Sequence, residues 1–186
     1  VKLGSGADNI KFTDATAAAT SSNTIKLGAG DDTADIVTAG SGATYVFGEE
    51  GDDTVQINGI ASTDLVDLGA GDDTLIADGT NASAILRGVE NVTVNAGATL
   101  AVSAADTALA VTAKASGGAV DVTGLTAGST VTVTKAAAAT QATNVTVGFT
   151  ASEEASTVEV GGGMSGTLTL SKIADATVNL SANAPP

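Results

Sequence analysis

Between residues 36 and 76 the apolar side chains come in short groups separated by polar ones: Ile36-Val37, Tyr45-Val46-Phe47, Val55 and Ile57, Leu65-Val66, Leu75-Ile76. Alternation of period two over so few residues predicts β-strands with one buried face. The rhythm continues from Ile85 to Val94. Further strands are expected at Leu100–Val102, Leu109–Val111, Ala119–Val122, Val131–Thr134, Val145–Val147, Val158–Val160, Leu168–Leu170 and Val178–Leu180. In Val131–Thr134 and Leu168–Ser171, alternation turns Val and Leu inward and stacks Thr outward. Residues 11–24 predict an enlarged turn or a short Ala-rich helix, and the Ala-rich stretches 103–116 and 135–143 predict short helices.

The strands are punctuated by a repeat. Lys26-Leu27-Gly28-Ala29-Gly30-Asp31-Asp32-Thr33 returns as Asp67-Leu68-Gly69-Ala70-Gly71-Asp72-Asp73-Thr74. A looser copy, Phe47-Gly48-Glu49-Glu50-Gly51-Asp52-Asp53-Thr54, lies between them, and a frayed one, Lys2-Leu3-Gly4-Ser5-Gly6-Ala7-Asp8-Asn9, opens the chain. Asp8 to Asp32 is 24 residues, Asp32 to Asp53 is 21 and Asp53 to Asp73 is 20. Two strands of about five residues and two turns make a circuit of roughly 18–20 residues. The copies would then stack on one side of successive coils. The expected fold is all-β: a parallel β-roll or β-helix with about 20 residues per coil.

The Gly-x-Gly-x-Asp stretches resemble the G-G-x-G-x-D-x-U-x nonapeptide of the RTX family, the calcium-binding parallel β-roll. The resemblance covers about residues 1–80. It implies Ca²⁺ held between stacked turns by the motif aspartates, here Asp8, Asp32, Asp53 and Asp73. The turn glycines would contribute carbonyls: Gly4 and Gly6, Gly28 and Gly30, Gly48 and Gly51, Gly69 and Gly71. Ca²⁺ suits such a site, being a hard cation that takes six to eight oxygens.

This chain departs from the family pattern. Only one motif occurs per circuit, because the opposite turns (Ala39-Gly40-Ser41-Gly42, Asn58-Gly59, Asp78-Gly79-Thr80-Asn81) lack Gly-x-Asp. One row of ions is therefore expected, not two. Leu3, Leu27 and Leu68 take the first glycine's place, and Glu49 replaces the second glycine of the third copy. Asp31, Asp52 and Asp72 are expected to face water. Glu49, Glu50, Asp35, Asp64, Asp67 and Asp78 are read as solvated charges rather than ligands, and Glu90 as a solvated charge or, in the alternative, a cap on the last calcium turn.

Charge divides the chain. The 186 residues carry a net −14, of which residues 1–90 hold −11 and residues 91–186 hold −3. Stacked aspartates repel one another unless a counter-ion intervenes. Residues 1–90 are thus read as the calcium-binding β-roll. Residues 91–186 are read as a continuing Thr/Val/Ala-rich β-helix, with a separate β-sandwich as the rival.

Several functions are excluded or disfavoured. Without His, neither a Ser-His-Asp triad nor an H-E-x-x-H zinc site can form, and no enzyme is expected. Few basic residues argue against nucleic acid, and no apolar run is long enough for a membrane span. The absence of Cys leaves metal as the staple. The chain begins inside a repeat, so a longer parent protein is expected. The resemblance implies an extracellular, cell-surface structural segment of a bacterial surface-layer protein or adhesin, with self-association in a lattice as the expected partnership. The alternative is a non-catalytic RTX tail of a secreted protease, lipase or toxin. An ice-binding roll is disfavoured, because Ser5, Ala29, Glu50 and Ala70 hold the turn positions where such an array needs Thr.

Overall fold

The computed structural model describes residues 1–14, 22–38, 42–61, 63–115, 120–126, 128–135, 144–149, 156–161, 167–171 and 177–180. These residues contain seventeen strands and no helix. Odd-numbered strands form one sheet: β1 (Asn9–Asp14), β3 (Thr33–Thr38), β5 (Thr54–Asn58), β7 (Thr74–Asp78), β9 (Asn91–Val94), β11 (Ala110–Ala115), β13 (Thr130–Lys135), β15 (Thr157–Val160) and β17 (Thr177–Leu180). Even-numbered strands form the other: β2 (Asn23–Ala29), β4 (Thr44–Glu50), β6 (Leu65–Asp67), β8 (Thr80–Arg87), β10 (Thr99–Ala105), β12 (Val120–Leu125), β14 (Val145–Phe149) and β16 (Leu168–Ser171). Each strand from β1 to β15 pairs in parallel with the strand two places on, so the chain winds between the sheets as a β-solenoid with coils of about 20 residues.

Where the register runs without shifts, it explains why alternation is enough to build the core. Ala34 pairs with Val55, Val55 with Leu75, Leu75 with Val92, Val92 with Val111 and Val111 with Val131. On the other sheet Ile25, Val46, Val66 and Leu86 form an equivalent column. All of these side chains are buried. Most coils repeat the same inward and outward choice, broken at the irregular stretches of β10 and β14, so small and β-branched residues fill a thin core. The strands after residue 90 join these same two sheets in parallel, not the antiparallel hairpins of a sandwich.

The helical expectations fail where the structure describes them. Residues 11–14 belong to β1, residues 103–105 to β10 and residues 110–115 to β11. Alanine's helix propensity is worth less than 1 kcal/mol per residue. Here it is overridden by ladders on both sides: Ala113 pairs with Val94 and Val133 and is buried in their column. Lys135 ends β13; residues 15–21, 39–41 and 136–143 lie outside the described residues. Among the described residues no helix is long and apolar enough to cross a membrane.

The two faces of β7 should differ sharply on truncation. Leu75→Ala opens a cavity in a closed column and is expected to cost ~2–5 kcal/mol in urea unfolding. Ile76→Ala, on the outward face, should cost about 1 kcal/mol or less. Equal losses at the two positions would contradict the inward assignment of Leu75.

Candidate metal centre

The motif turns continue the sheet as a tightly nested stack. Backbone N–H groups of Gly6, Gly30 and Gly51 donate to the carbonyls of Ala29, Glu50 and Ala70 at 2.6, 2.8 and 2.9 Å. A Cβ on Gly51, at φ +124°, would lie 2.4 Å from the Gly30 carbonyl oxygen. Glycine is therefore required there both by backbone conformation and by the neighbouring coil. The exception is Glu49, which stands at φ +82° in register with Gly28. Lys26 Nζ donates to Glu49 Oε1 at 2.9 Å, and that bond holds the carboxyl below its ordinary pKa. Glu49 is thus paired rather than simply solvated.

Each of these turns delivers one residue to a common column. The N–H of Thr33, Thr54, Thr74 and Asn91 donates to the carbonyl of Asp8, Asp32, Asp53 and Asp73 respectively, which fixes the register. The column's own N–H groups find side-chain oxygens one coil ahead. Asp8 N–H donates to Asp32 Oδ1 at 2.7 Å, Asp32 N–H to Asp53 Oδ1 at 2.9 Å and Asp53 N–H to Asp73 Oδ1 at 2.8 Å. The last rung is Asp73 N–H to Glu90 Oε2 at 3.0 Å.

This ladder satisfies one carboxylate oxygen and strands the other. Asp32, Asp53 and Asp73 are 1%, 1% and 0% exposed, and the Oδ2 of each is buried without a hydrogen-bond partner. At the third turn a Cβ on Gly48 would lie 2.2 Å from both Asp53 Oδ2 and the Leu68 carbonyl oxygen. Two acceptors thus converge where the first motif position is glycine instead of leucine. Burial raises the pKa of Asp53 to about 6, against the lowering effect of the Asp32 N–H bond, with the Asp73, Asp32 and Asp31 charges adding to the rise. Burial also raises Asp73, against the lowering effect of the Asp53 N–H bond, with the Glu90 charge adding to the rise. A buried, unpaired carboxylate oxygen is costly, and either a proton or a cation relieves it.

The flanking acids behave differently. Asp31, Asp52 and Asp72 are exposed, as expected, and form a second ladder of opposite sense. Asp52 N–H donates to Asp31 Oδ1 at 3.0 Å and Asp72 N–H to Asp52 Oδ1 at 2.9 Å. Asp64, expected to be solvated, is instead buried and fully used: Oδ1 accepts from Thr44 N–H and Oδ2 from Ala61 N–H, each at 2.7 Å. Asp35 pairs with Lys11, and Asp78 accepts from Gln56 and Asn95. Asn81 performs the same service on the opposite turns, its Oδ1 accepting from Gly59 and Ile60 N–H. Glu90, read as a solvated charge with a cap on the last turn as the alternative, occupies the column itself. Its signal was available: Glu90 directly precedes strand residue Asn91, as each motif aspartate precedes its strand threonine.

Gly4, Gly6 and Asp8 form the outermost turn. No other coil packs where Cβ atoms on Gly4 and Gly6 would stand, and Asp8 is only half-buried. Gly28, Gly30, Gly69 and Gly71 nest against neighbouring backbone. The donor set is oxygen alone, which suits a hard cation. Among the described residues no three acidic side chains converge on one point. An ion here would have to complete its shell from turn carbonyls. Compared with protein-family models, curated proteins and solved structures, the chain matches none.

The raised pKa of Asp53 has a definite sign. Its folded value of about 6 lies above the ordinary 3.8, so the stability it confers is complete below pH ~4 and is lost as pH rises through ~6. Asp53→Asn keeps an acceptor for Asp32 N–H and removes the charge. In chelator at pH 7 it should be more stable than the parent by about 2–3 kcal/mol, and the gap should close by pH ~4. Thermal unfolding across that range checks this; a variant less stable than the parent at pH 7 would contradict the strain on the carboxylate.

Proposed function

We propose that residues 1–90 are a calcium-stabilised β-roll. In this reading the chain is a structural segment of a secreted bacterial cell-surface protein of the surface-layer or adhesin type. The observation that carries it is the row of buried, partnerless Oδ2 atoms on Asp32, Asp53 and Asp73. Asp8 extends the row at its open end, and carbonyls of the Gly4–Gly6, Gly28–Gly30, Gly48–Gly51 and Gly69–Gly71 turns would complete the ion's oxygen shell. Bound calcium supplies the positive charge that the stacked carboxylates need.

The mechanism is folding coupled to metal. With calcium scarce, residues 1–90 carry a net −11, and closing the stack forces carboxylates into a dry column. Self-repulsion and desolvation then favour an open chain. Where calcium is plentiful, each site filled at about ten times its Kd adds ~1.4 kcal/mol to the folded state. Such a chain would cross the cell envelope unfolded and close outside. Ligand affinities on the order of 10⁻⁴–10⁻³ M, usual for extracellular modules, would suffice.

Circular dichroism and calorimetry during a calcium titration test the reading, with Asp32→Ala and Asp53→Ala alongside. Strand signal and a cooperative melt should strengthen with calcium, and each variant should lose bound ion and most of that gain. Asp53→Asn should become less stable than the parent in calcium, reversing its order in chelator. A chain equally folded in chelator that takes up no calcium would sink the proposal.

A further inference from the structure

The row of carboxylates does not stop at the last Gly-x-Gly-x-Asp copy. Glu90 follows Asp73 in the same column: Ala110 N–H donates to the Glu90 carbonyl at 2.8 Å, as Asn91 N–H does to that of Asp73 at 3.0 Å. Its Oε2 accepts Asp73 N–H, the role that Asp73 Oδ1 plays for Asp53.

The turn that carries it is built differently. Lys26 pairs with Phe47 and Phe47 with Asp67, and each precedes its strand threonine by the same number of residues. Arg87, the partner of Asp67, precedes Asn91 by three fewer. This shorter turn is drawn hard onto the previous one: a Cβ on Gly88, at φ +51°, would lie 2.5 Å from both Gly69 N and Gly69 O. Val89 closes it from inside and is fully buried. The extra methylene of glutamate then brings a carboxylate to the column from a turn too short for the aspartate arrangement.

Beyond this point the column changes chemistry. The next member is Leu109, buried and without a side-chain oxygen, followed by the neutral Ser129, whose Oγ accepts Leu109 N–H at 3.0 Å. Glu90 is therefore the last acid in the row. The adjoining member of the row is Asp73, whose Oδ2 is fully buried and partnerless.

We infer that Glu90 closes the row of calcium sites, forming with Asp73 a terminal compartment that lies past the last recognisable repeat. The inference rests on the calcium reading above. It adds one compartment to those between Asp8, Asp32, Asp53 and Asp73, and it assigns Glu90 as a ligand although no Gly-Asp motif surrounds it.

Calcium stoichiometry by equilibrium dialysis, with thermal melting as a second readout, tests it on the whole chain. Glu90→Gln retains an acceptor for Asp73 N–H and removes the charge; Glu90→Asp retains the charge and withdraws it. Both should bind one ion fewer than the parent and melt lower in calcium. Glu159→Gln, on the exposed outer face of β15, should match the parent. If the parent binds calcium and both Glu90 variants bind equally many ions with equal affinity, the Glu90 assignment falls while the calcium reading stands. Should the parent bind no calcium at all, both fall. If Glu90→Gln does not fold, the count for Glu90→Asp decides.

Discussion

The N-terminal half depends on a mismatch of donors and acceptors. A parallel stack of turns leaves one backbone N–H per coil pointing along the axis, and a buried N–H must be paired. Here a carboxylate from the next coil accepts it, at Asp32, Asp53, Asp73 and Glu90. A carboxylate has two oxygens and the ladder offers one donor, so the solution creates a second need. Three Oδ2 atoms remain dry and unpaired. Coil-to-coil cohesion and the unpaired carboxylate oxygens thus have one origin.

The same column meets its donor differently further along. Ser129 supplies a hydroxyl that accepts Leu109 N–H and leaves no charge behind. Ser156, in the equivalent place one coil later, is also buried. A neutral rung carries no self-repulsion, and residues 91–186 hold a net of only −3. One solenoid therefore contains two ways of pairing the axial N–H, one that leaves a buried carboxylate oxygen unpaired and one that does not. The apolar columns beneath them are continuous across the change.

Backbone stacking sets the limits within which the turns can vary. Where Gly51 sits on Gly30, no side chain fits between the coils. Glu49 shows that a left-handed residue need not be glycine when its side chain points outward to Lys26. Gly48 marks the reverse case. Its missing side chain leaves the space that Asp53 Oδ2 and the Leu68 carbonyl oxygen border.

Much of this was legible in the sequence. Period-two alternation fixes which face of each strand is buried, and repeat spacing fixes the stacking partner, so Val55 above Leu75 and Asp53 beside Asp73 follow from counting. Both are local properties multiplied by a constant coil length. What counting misses depends on neighbours in space. The Ala-rich segments 103–105 and 110–115 became strands because pairing with β8 and with β9 and β13, respectively, outweighed a weak helical preference. Asp64 is buried because two backbone N–H groups from separate turns meet it. Glu90 joins the column because its shortened turn and longer side chain compensate, a balance of lengths that exists only once the coils are stacked. Sequence determined the repeat and its inward face; the stacked backbone decided which carboxylates are dry, because burial is a property of the adjoining coils.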